Sequence, residues 1–331
     1  MKKQNMPAYF AGIALLILIL DTKTALNGAA EGIDICLKTL IPSLFPFLFL
    51  SGFLTGSLQG KTIRFLRPIG RLLRIPQGAE SIFLIGLLAG YPVGAQCVAQ
   101  AVSCGSISRE NGRRMLAFCS NAGPAFLFGI GSRLFNEIWM VWALWLIHIM
   151  SAMLVGMVTF GGNEDSAAMR TGTIPPPEAI LRKSLQTMAM VCGWVVLFRI
   201  VLSFLQRWLL WWLPGWAQLL ISGSLELANG CCGLMQIENI SLRFLFCSGF
   251  LGFGGLCVTM QTFSVCIGLD KRWYLPGKLL QTVFSLLLSC AIISREMALP
   301  AVLSLMVSCC GIHYFSQRSA KKDSNLRKCI V

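Results

Sequence analysis

The chain of 331 residues has little charge: Asp, Glu, Lys and Arg together make up 13% of it. A soluble domain carries about a quarter charged residues. With so few, a globule cannot cover itself with polar surface, so most of the chain must face lipid or be buried in protein. This excludes disordered, collagen-like and small disulfide-scaffold classes and weighs against a soluble enzyme. Histidine is nearly missing, with only His148 and His313 present. No Ser–His–Asp set, HExxH motif or pair of carboxylates stands out. The sequence therefore yields no catalytic residue, no metal ligand and no cofactor. Acidic residues are half as frequent as basic ones, 14 against 28.

The 14 cysteines contain no CxxC spacing. Most lie within apolar runs, where thiols behave as small hydrophobes. The adjacent pairs Cys231-Cys232 and Cys309-Cys310 are poorly arranged for one structural site. The excess of Lys and Arg would suggest nucleic acid in a soluble protein. Here it sits between long apolar runs, so the positive-inside rule and anionic headgroups account for it. Lipid is the expected partner, and nucleic acid is not.

Apolar residues make up 55% of the chain. They fall into segments at 6–20, 39–58, 81–104, 115–135, 137–160, 184–205, 217–235, 243–268, 278–294 and 297–315. A straight span needs about 20 apolar residues, and several segments reach that length only with Gly, Pro or polar interruptions. Irregular backbone survives at membrane depth only where protein or water covers it, so the interruptions are candidate binding elements. Segment 6–20 follows Lys2 and Lys3 but precedes no clean cleavage site, and it reads as a retained first helix. Residues 24–38 read as an amphipathic outside helix.

Charge sets the orientation. The basic loop from Lys61 to Arg74 belongs in the cytoplasm. Segment 81–104 either spans or enters and returns as a hairpin bent at Gly90-Tyr91-Pro92-Val93-Gly94. The hairpin keeps Arg109, Arg113 and Arg114 inside and fits the charge rule better. The scheme also places Lys271, Arg272, Lys278 and the basic tail inside. Lys23, Lys38, Arg133, Arg207, Arg243 and Arg295 fall outside, near an interfacial belt of Trp208, Trp211, Trp212 and Trp216.

A repeat follows from this layout. Segments 39–58, 81–104 and 115–135 form a helix, a hairpin and a broken span, and 184–205, 217–235 and 243–268 repeat the series. Leu116-Ala117-Phe118-Cys119-Ser120 aligns with Phe244-Leu245-Phe246-Cys247-Ser248. The first hairpin enters from inside and the second from outside, which is the inverted symmetry of many secondary transporters. The expected fold is an all-α polytopic membrane protein of two inverted repeats, each with a re-entrant hairpin and a broken transmembrane helix. Its parts are an N-terminal helix and amphipathic segment (1–38), a first repeat (39–160), a cytoplasmic linker (161–183), a second repeat (184–296), and a last helix with a basic tail (297–331).

The candidate site residues come from the interruptions. Gly86, Gly90 and Gly94 form a smooth stripe suited to helix contact, while Gly90, Tyr91 and Gly94 can present free amides at a hairpin tip. Ser120, Asn121 and Gly123 precede Pro124, which removes a donor; Asn121 either bonds freed backbone or meets a ligand. Glu226, with Asn229 and Gly230, is the acid expected at membrane depth, where an acid serves a proton, a cation or a ligand. Ser248, Gly249 and Gly254 belong to a run whose four glycines in seven residues suggest an unwound crossing, since each lowers helix stability by about 1 kcal/mol relative to Ala. No soluble strand–helix unit surrounds that run, so it is not a dinucleotide loop. Gln261 can face the cavity. Arg199 lies within a span, where it pairs with an acid, binds an anion or reaches for the interface. Glu80 and Glu238 lie near charged loops and are expected to be solvated, and His148 is expected to be a packed residue.

Four motifs occur in order: Ile41-Pro42-Ser43-Leu44-Phe45-Pro46-Phe47, Gly90-Tyr91-Pro92-Val93-Gly94-Ala95, Phe118-Cys119-Ser120-Asn121-Ala122-Gly123-Pro124 and Gly252-Phe253-Gly254-Gly255-Leu256. Across about residues 30–295 the chain resembles the sporulation integral membrane proteins with nucleoside-recognition (Gate) domains, which are distantly similar to concentrative nucleoside transporters. The resemblance implies a multi-pass cell-membrane protein of a spore former, at the outer forespore membrane, that moves a small-molecule solute of the dipicolinate kind. It leaves open a coupling ion (H+ or Na+) and self-association into a homo-oligomer. A non-transporting scaffold for spore assembly and a nucleoside transporter are the competing functions.

Overall fold

A computed structural model describes residues 6–58, 61, 63–159 and 174–293. The expected last crossing at 297–315, the basic tail, His313 and most of the linker lie outside the described residues. The described chain is helical, with no strand. Helices dominate because lipid offers no partner to backbone groups, so each segment must bond within itself.

The helices are α1 (Met6–Leu20), α2 (Thr22–Ile35), α3 (Ile41–Leu58), α4 (Arg67–Leu72), α5 (Glu80–Ala89), α6 (Val93–Ser103), α7 (Arg109–Met115), α8 (Pro124–Leu134), α9 (Ile138–Val158), α10 (Pro177–Leu205), α11 (Gly215–Leu225), α12 (Leu227–Gly233), α13 (Ile240–Phe253), α14 (Gly255–Val265) and α15 (Tyr274–Ile293). Among the described residues, five stretches are long and apolar enough to cross a bilayer: Thr22–Leu58, Ile138–Val158, Pro177–Leu210, Ile240–Val265 and Tyr274–Ile293. The protein is thus a multi-pass membrane protein by its helices.

Residues 24–38 do not form a separate amphipathic helix. A π-helical turn at Cys36–Leu40 joins α2 to α3 in one continuous rod. Its small-residue face, with Thr24, Gly28 and Gly32, is covered by α10. A Cβ on Gly28 would lie 3.0 Å from the Ile200 Cα, and one on Gly32 would lie 2.9 Å from the Val196 Cα. That close approach brings Glu31 onto Arg199 and Asp21 to 2.9 Å from Arg207. Arg199 is therefore paired with an acid.

The buried core has two parts. One joins α3, α8, α9, α10, α12 and α13 around Leu127, Val141, Leu144, Cys231 and Phe244. The other joins α5, α6, α9 and α15 to the residues around α7, with Leu73, Val98, Met115, Phe118, Val155 and Phe284. At this second end the basic loops meet. Arg114 donates to the Leu73 carbonyl at 2.9 Å, to Thr159 at 3.1 Å and to Arg74, and Arg113 lies 3.4 Å from Asp270. At the opposite end Arg243 donates to the Leu134 carbonyl at 2.8 Å, and Arg133 reaches Thr39.

Glu80 is not solvated. It is 1% exposed, accepts from the Gly78 amide at 2.8 Å and pairs with Arg67 at 2.6 Å. The loop folds over it because a carboxylate at the start of α5 is held by the helix dipole and by the adjacent guanidinium. His148 is buried, and its Nε2 accepts from the Ala122 amide at 3.0 Å.

Candidate solute site

Two pairs of short helices frame the site, and both close on glycine. In α5–α6, separated by Gly90, Tyr91 and Pro92, a Cβ on Gly94 would lie 2.7 Å from the Gly86 Cα. In α11–α12, separated by Glu226 alone, a Cβ on Gly230 would lie 2.9 Å from the Gly223 amide nitrogen. Neither pair admits a side chain at its contact, so each folds back on itself at backbone distance. Gly90 turns the first pair at φ +75°, a conformation open to glycine at little steric cost.

Two longer elements are interrupted. Between α7 and α8 the chain leaves the helix after Met115, turns through residues 116–119 and is irregular at 120–123, ahead of Pro124. Between α13 and α14 the break is confined to Gly254 and Gly255, with φ of +79° and +83°. The expectation of a crossing unwound from Ser248 onward is corrected here: Ser248, Gly249 and Gly252 are helical. Their small size serves contact with α15 instead. A Cβ on Gly252 would lie 2.9 Å from the Thr282 Cα, and Ser248 donates to the Ser285 carbonyl at 3.1 Å.

Three of these interruptions meet around one cavity of about 40 Å³, and α14 adds lining just after the fourth. Gly90 and Tyr91 come from the first helix pair, Gly123 from the break before α8, Glu226 from the second pair, and Val258 and Gln261 from α14. Leu40, Leu44, Val191 and Val195 line it from the long rods, and Phe126 and Leu227 complete it. Gly254 is next to a lining residue rather than one itself: a Cβ on it would lie 3.0 Å from the Tyr91 hydroxyl. Glu226 is 3% exposed. Its carboxylate accepts from the Ala228 amide at 3.0 Å, the Asn229 amide at 2.6 Å and Asn229 Nδ2 at 2.8 Å. It thereby caps α12, and Asn229 orients it.

The remaining expected residues lie behind the cavity. Gly94 and Gly230 sit at the two glycine contacts. Asn121 has no exposed surface; its Nδ2 donates to the Phe118 carbonyl at 2.7 Å and its Oδ1 accepts from Gln281 at 3.0 Å. Ser120 is within 3.4 Å of Thr262, which donates to Tyr274 at 3.2 Å. Ser248 and Gly249 face α15.

Lys278 was expected in an inside loop and is instead inside the fold, with no exposed surface. Helix α15 starts at Tyr274, which carries Lys278 into its second turn. Its ammonium donates to the Ser120 carbonyl and to Gln281 Oε1 at 2.8 Å, and lies 5.1 Å from the centroid of the Tyr91 ring. Charge counting assigns a lysine between apolar runs to a loop and has no means of placing it against a carbonyl 158 residues away.

A second cavity of about 290 Å³ runs between α3, α6 and α10. Ser51, Thr55, Gln96, Gln100, Ser184 and Thr187 give it polar walls, and Lys183 is the one charged residue that lines it. The 96/100 spacing put both glutamines on one face of α6 and was a readable signal. Leu48 and Val93 line this cavity while Leu44 and Tyr91, one turn or less away, line the smaller one. Among the described residues, no group of three or more His, Cys, Asp or Glu side chains converges that could hold a metal ion.

No protein-family model matches the chain, and no curated protein or solved structure matches it.

Proposed function

We propose that the protein is a membrane transporter of a small polar or anionic solute of the dipicolinate class, acting in sporulation. The observation that carries this reading is the convergence of three helix interruptions, far apart in the chain, on one cavity, one of them a buried glutamate. Backbone leaves helical geometry at membrane depth only at a cost, and transporter sites are where that cost is matched by ligand contacts. In this reading α5–α6 and α11–α12 are re-entrant hairpins of two inverted repeats. The hydrogen bonds from Arg114 to Leu73 and Arg74 support the first, because the chain leaves and returns at one end. The arrangement is also the one that resemblance to the Gate-domain family implies.

A cavity of about 40 Å³ has room for a water molecule or an ion and none for an aromatic ring. The arrangement is therefore closed, and the hairpins must part at Tyr91 for a solute to pass. The cavity of about 290 Å³ is close to the lower end of ligand-pocket volumes and has the polar lining for a monocyclic acid. It serves as the entrance, with Lys183 favouring anions. Gly90, Tyr91, Gly123, Glu226 and Gln261 are the contact residues of the inner site, and the coupling ion is H+ or Na+. A scaffold for spore assembly, the competing reading, has no use for polar interruptions around a buried cavity.

The test is thermal unfolding of the purified protein against dipicolinate, other aromatic carboxylates and nucleosides, with uptake into proteoliposomes for any hit. A ligand of the folded state raises the melting temperature as it saturates. The expected result is a saturable rise with an aromatic carboxylate, lost in Glu226→Gln. A rise with nucleosides alone reassigns the substrate. No rise and no uptake with any compound overturns the transport reading.

A further inference from the structure

The Lys278 ammonium is enclosed by oxygen and aromatic faces. It meets the Ser120 carbonyl, Gln281 Oε1 at 2.8 Å, the Tyr91 ring at 5.1 Å and the Tyr274 ring at 6.0 Å. Among the described residues no ion pair reaches it. A buried ammonium without a carboxylate is expensive unless other groups replace its water. Here they do so in the manner of a monovalent cation site, through a backbone carbonyl, an amide oxygen and π-faces. The carbonyl is available for a local reason. Pro124 follows Ser120 by four residues and has no N–H to return the helical bond. Gln281 then links the ammonium to Asn121, so Ser120 and Asn121 are both held by one turn of α15.

We infer that Lys278 is the resident cation of the interruption at residues 119–123, tethered in the place where a free sodium ion would otherwise be needed to hold the unwound carbonyls. Lys278 is a positioning residue: it holds Ser120, Asn121 and Tyr91, and Tyr91 lines the cavity. The assignment deepens the transport reading in one respect, in that this break requires no sodium for its structure. It is tested without any solute, so its failure and the failure of solute binding are separate results.

The full-length protein is melted in detergent at equal ionic strength in NaCl, KCl and N-methyl-D-glucamine chloride. The wild type is expected to melt at one temperature in all three, or to lose any preference for sodium in Glu226→Gln. Lys278→Ala, purified in ethylammonium, is expected to melt lower once exchanged into N-methyl-D-glucamine. Sodium or ethylammonium then restores about 2–4 °C, the shift that occupancy of a site in the folded state produces in a chain of this order of size. Lys278→Met fills the volume without charge and is expected to melt low in every salt. A sodium stabilisation over N-methyl-D-glucamine that persists in Glu226→Gln, where the inner site has lost its carboxylate, overturns the inference. So does a Lys278→Met protein as stable as the wild type, or a Lys278→Ala protein that is indifferent to small cations or folds in none of them.

Discussion

Glu226 and Asn121 were alike in the sequence, each a polar side chain inside an apolar run, and the fold gives them different surroundings. The Glu226 carboxylate accepts three hydrogen bonds and borders the cavity. A glutamine there has one acceptor oxygen in place of two. Glu226→Gln is expected to cost about 1–3 kcal/mol, the range for an unsatisfied buried partner, and to abolish the solute-induced rise in melting temperature. Asn121 spends both ends of its amide on Phe118 and Gln281 and borders neither cavity. Asn121→Ala is expected to lower the melting temperature by several degrees while the folded protein still binds solute with an apparent Kd close to that of the wild type. Differential scanning fluorimetry with a solute titration separates the two; a large change in Kd for Asn121→Ala sinks this division of roles. Sequence reading found both residues because polar groups in hydrocarbon are conspicuous. It could not sort them, since nothing local reveals that Gln281 is the neighbour of Asn121.

Among the elements, the glycines divide by what a methyl group would meet. At Gly94 and Gly230 it would meet the backbone of the opposite helix, at Gly86 and Gly223. Gly94→Ala and Gly230→Ala are expected to destabilise by about 1–3 kcal/mol, as overpacking does, and to impair solute binding because each pair carries cavity residues at its tip. Gly12 and Gly193 have open space around them. Gly12→Ala and Gly193→Ala are expected to leave stability unchanged or raise it by up to about 1 kcal/mol, the helix preference of Ala over Gly. Melting curves of the four single variants decide this, and equal effects at all four positions would remove the argument from contact. The glycine spacing was legible. The run at Gly249–Gly255 was legible only as a weakness, because a helix unwinds or packs closely with the same residue. The contact with α15 made the difference at Gly249 and Gly252, and only Gly254 and Gly255 take positive φ.

For the whole molecule, the ends of the bundle carry opposite character. The loops holding Arg74, Arg113 and Arg114 meet at one end with Asp270, and the tryptophans at 208, 211, 212 and 216 are exposed at the other end of α10 and beyond it. The positive-inside rule places the first end in the cytoplasm. Cys104 is exposed beside α7. A membrane-impermeant maleimide is therefore expected to label Cys104 in inside-out vesicles and spare it in right-side-out ones, read by peptide mass spectrometry. Labelling in right-side-out vesicles alone would invert the orientation.

Composition by itself determined that this chain belongs in a membrane, that it is helical and where most of its helices lie. Those properties follow from what each short stretch can do in hydrocarbon, where the backbone must satisfy itself and charge stays out. It also marked the interruptions, because glycine, proline and polar side chains are local departures from that rule. What only the tertiary structure decided is which interruptions share a cavity, why residues 24–38 continue into α3, that Glu80 is buried beside Arg67, and that Lys278 is held by the Ser120 carbonyl. Each of these depends on a partner distant along the chain, and a pattern read within one segment contains no term for the atoms that packing brings against it.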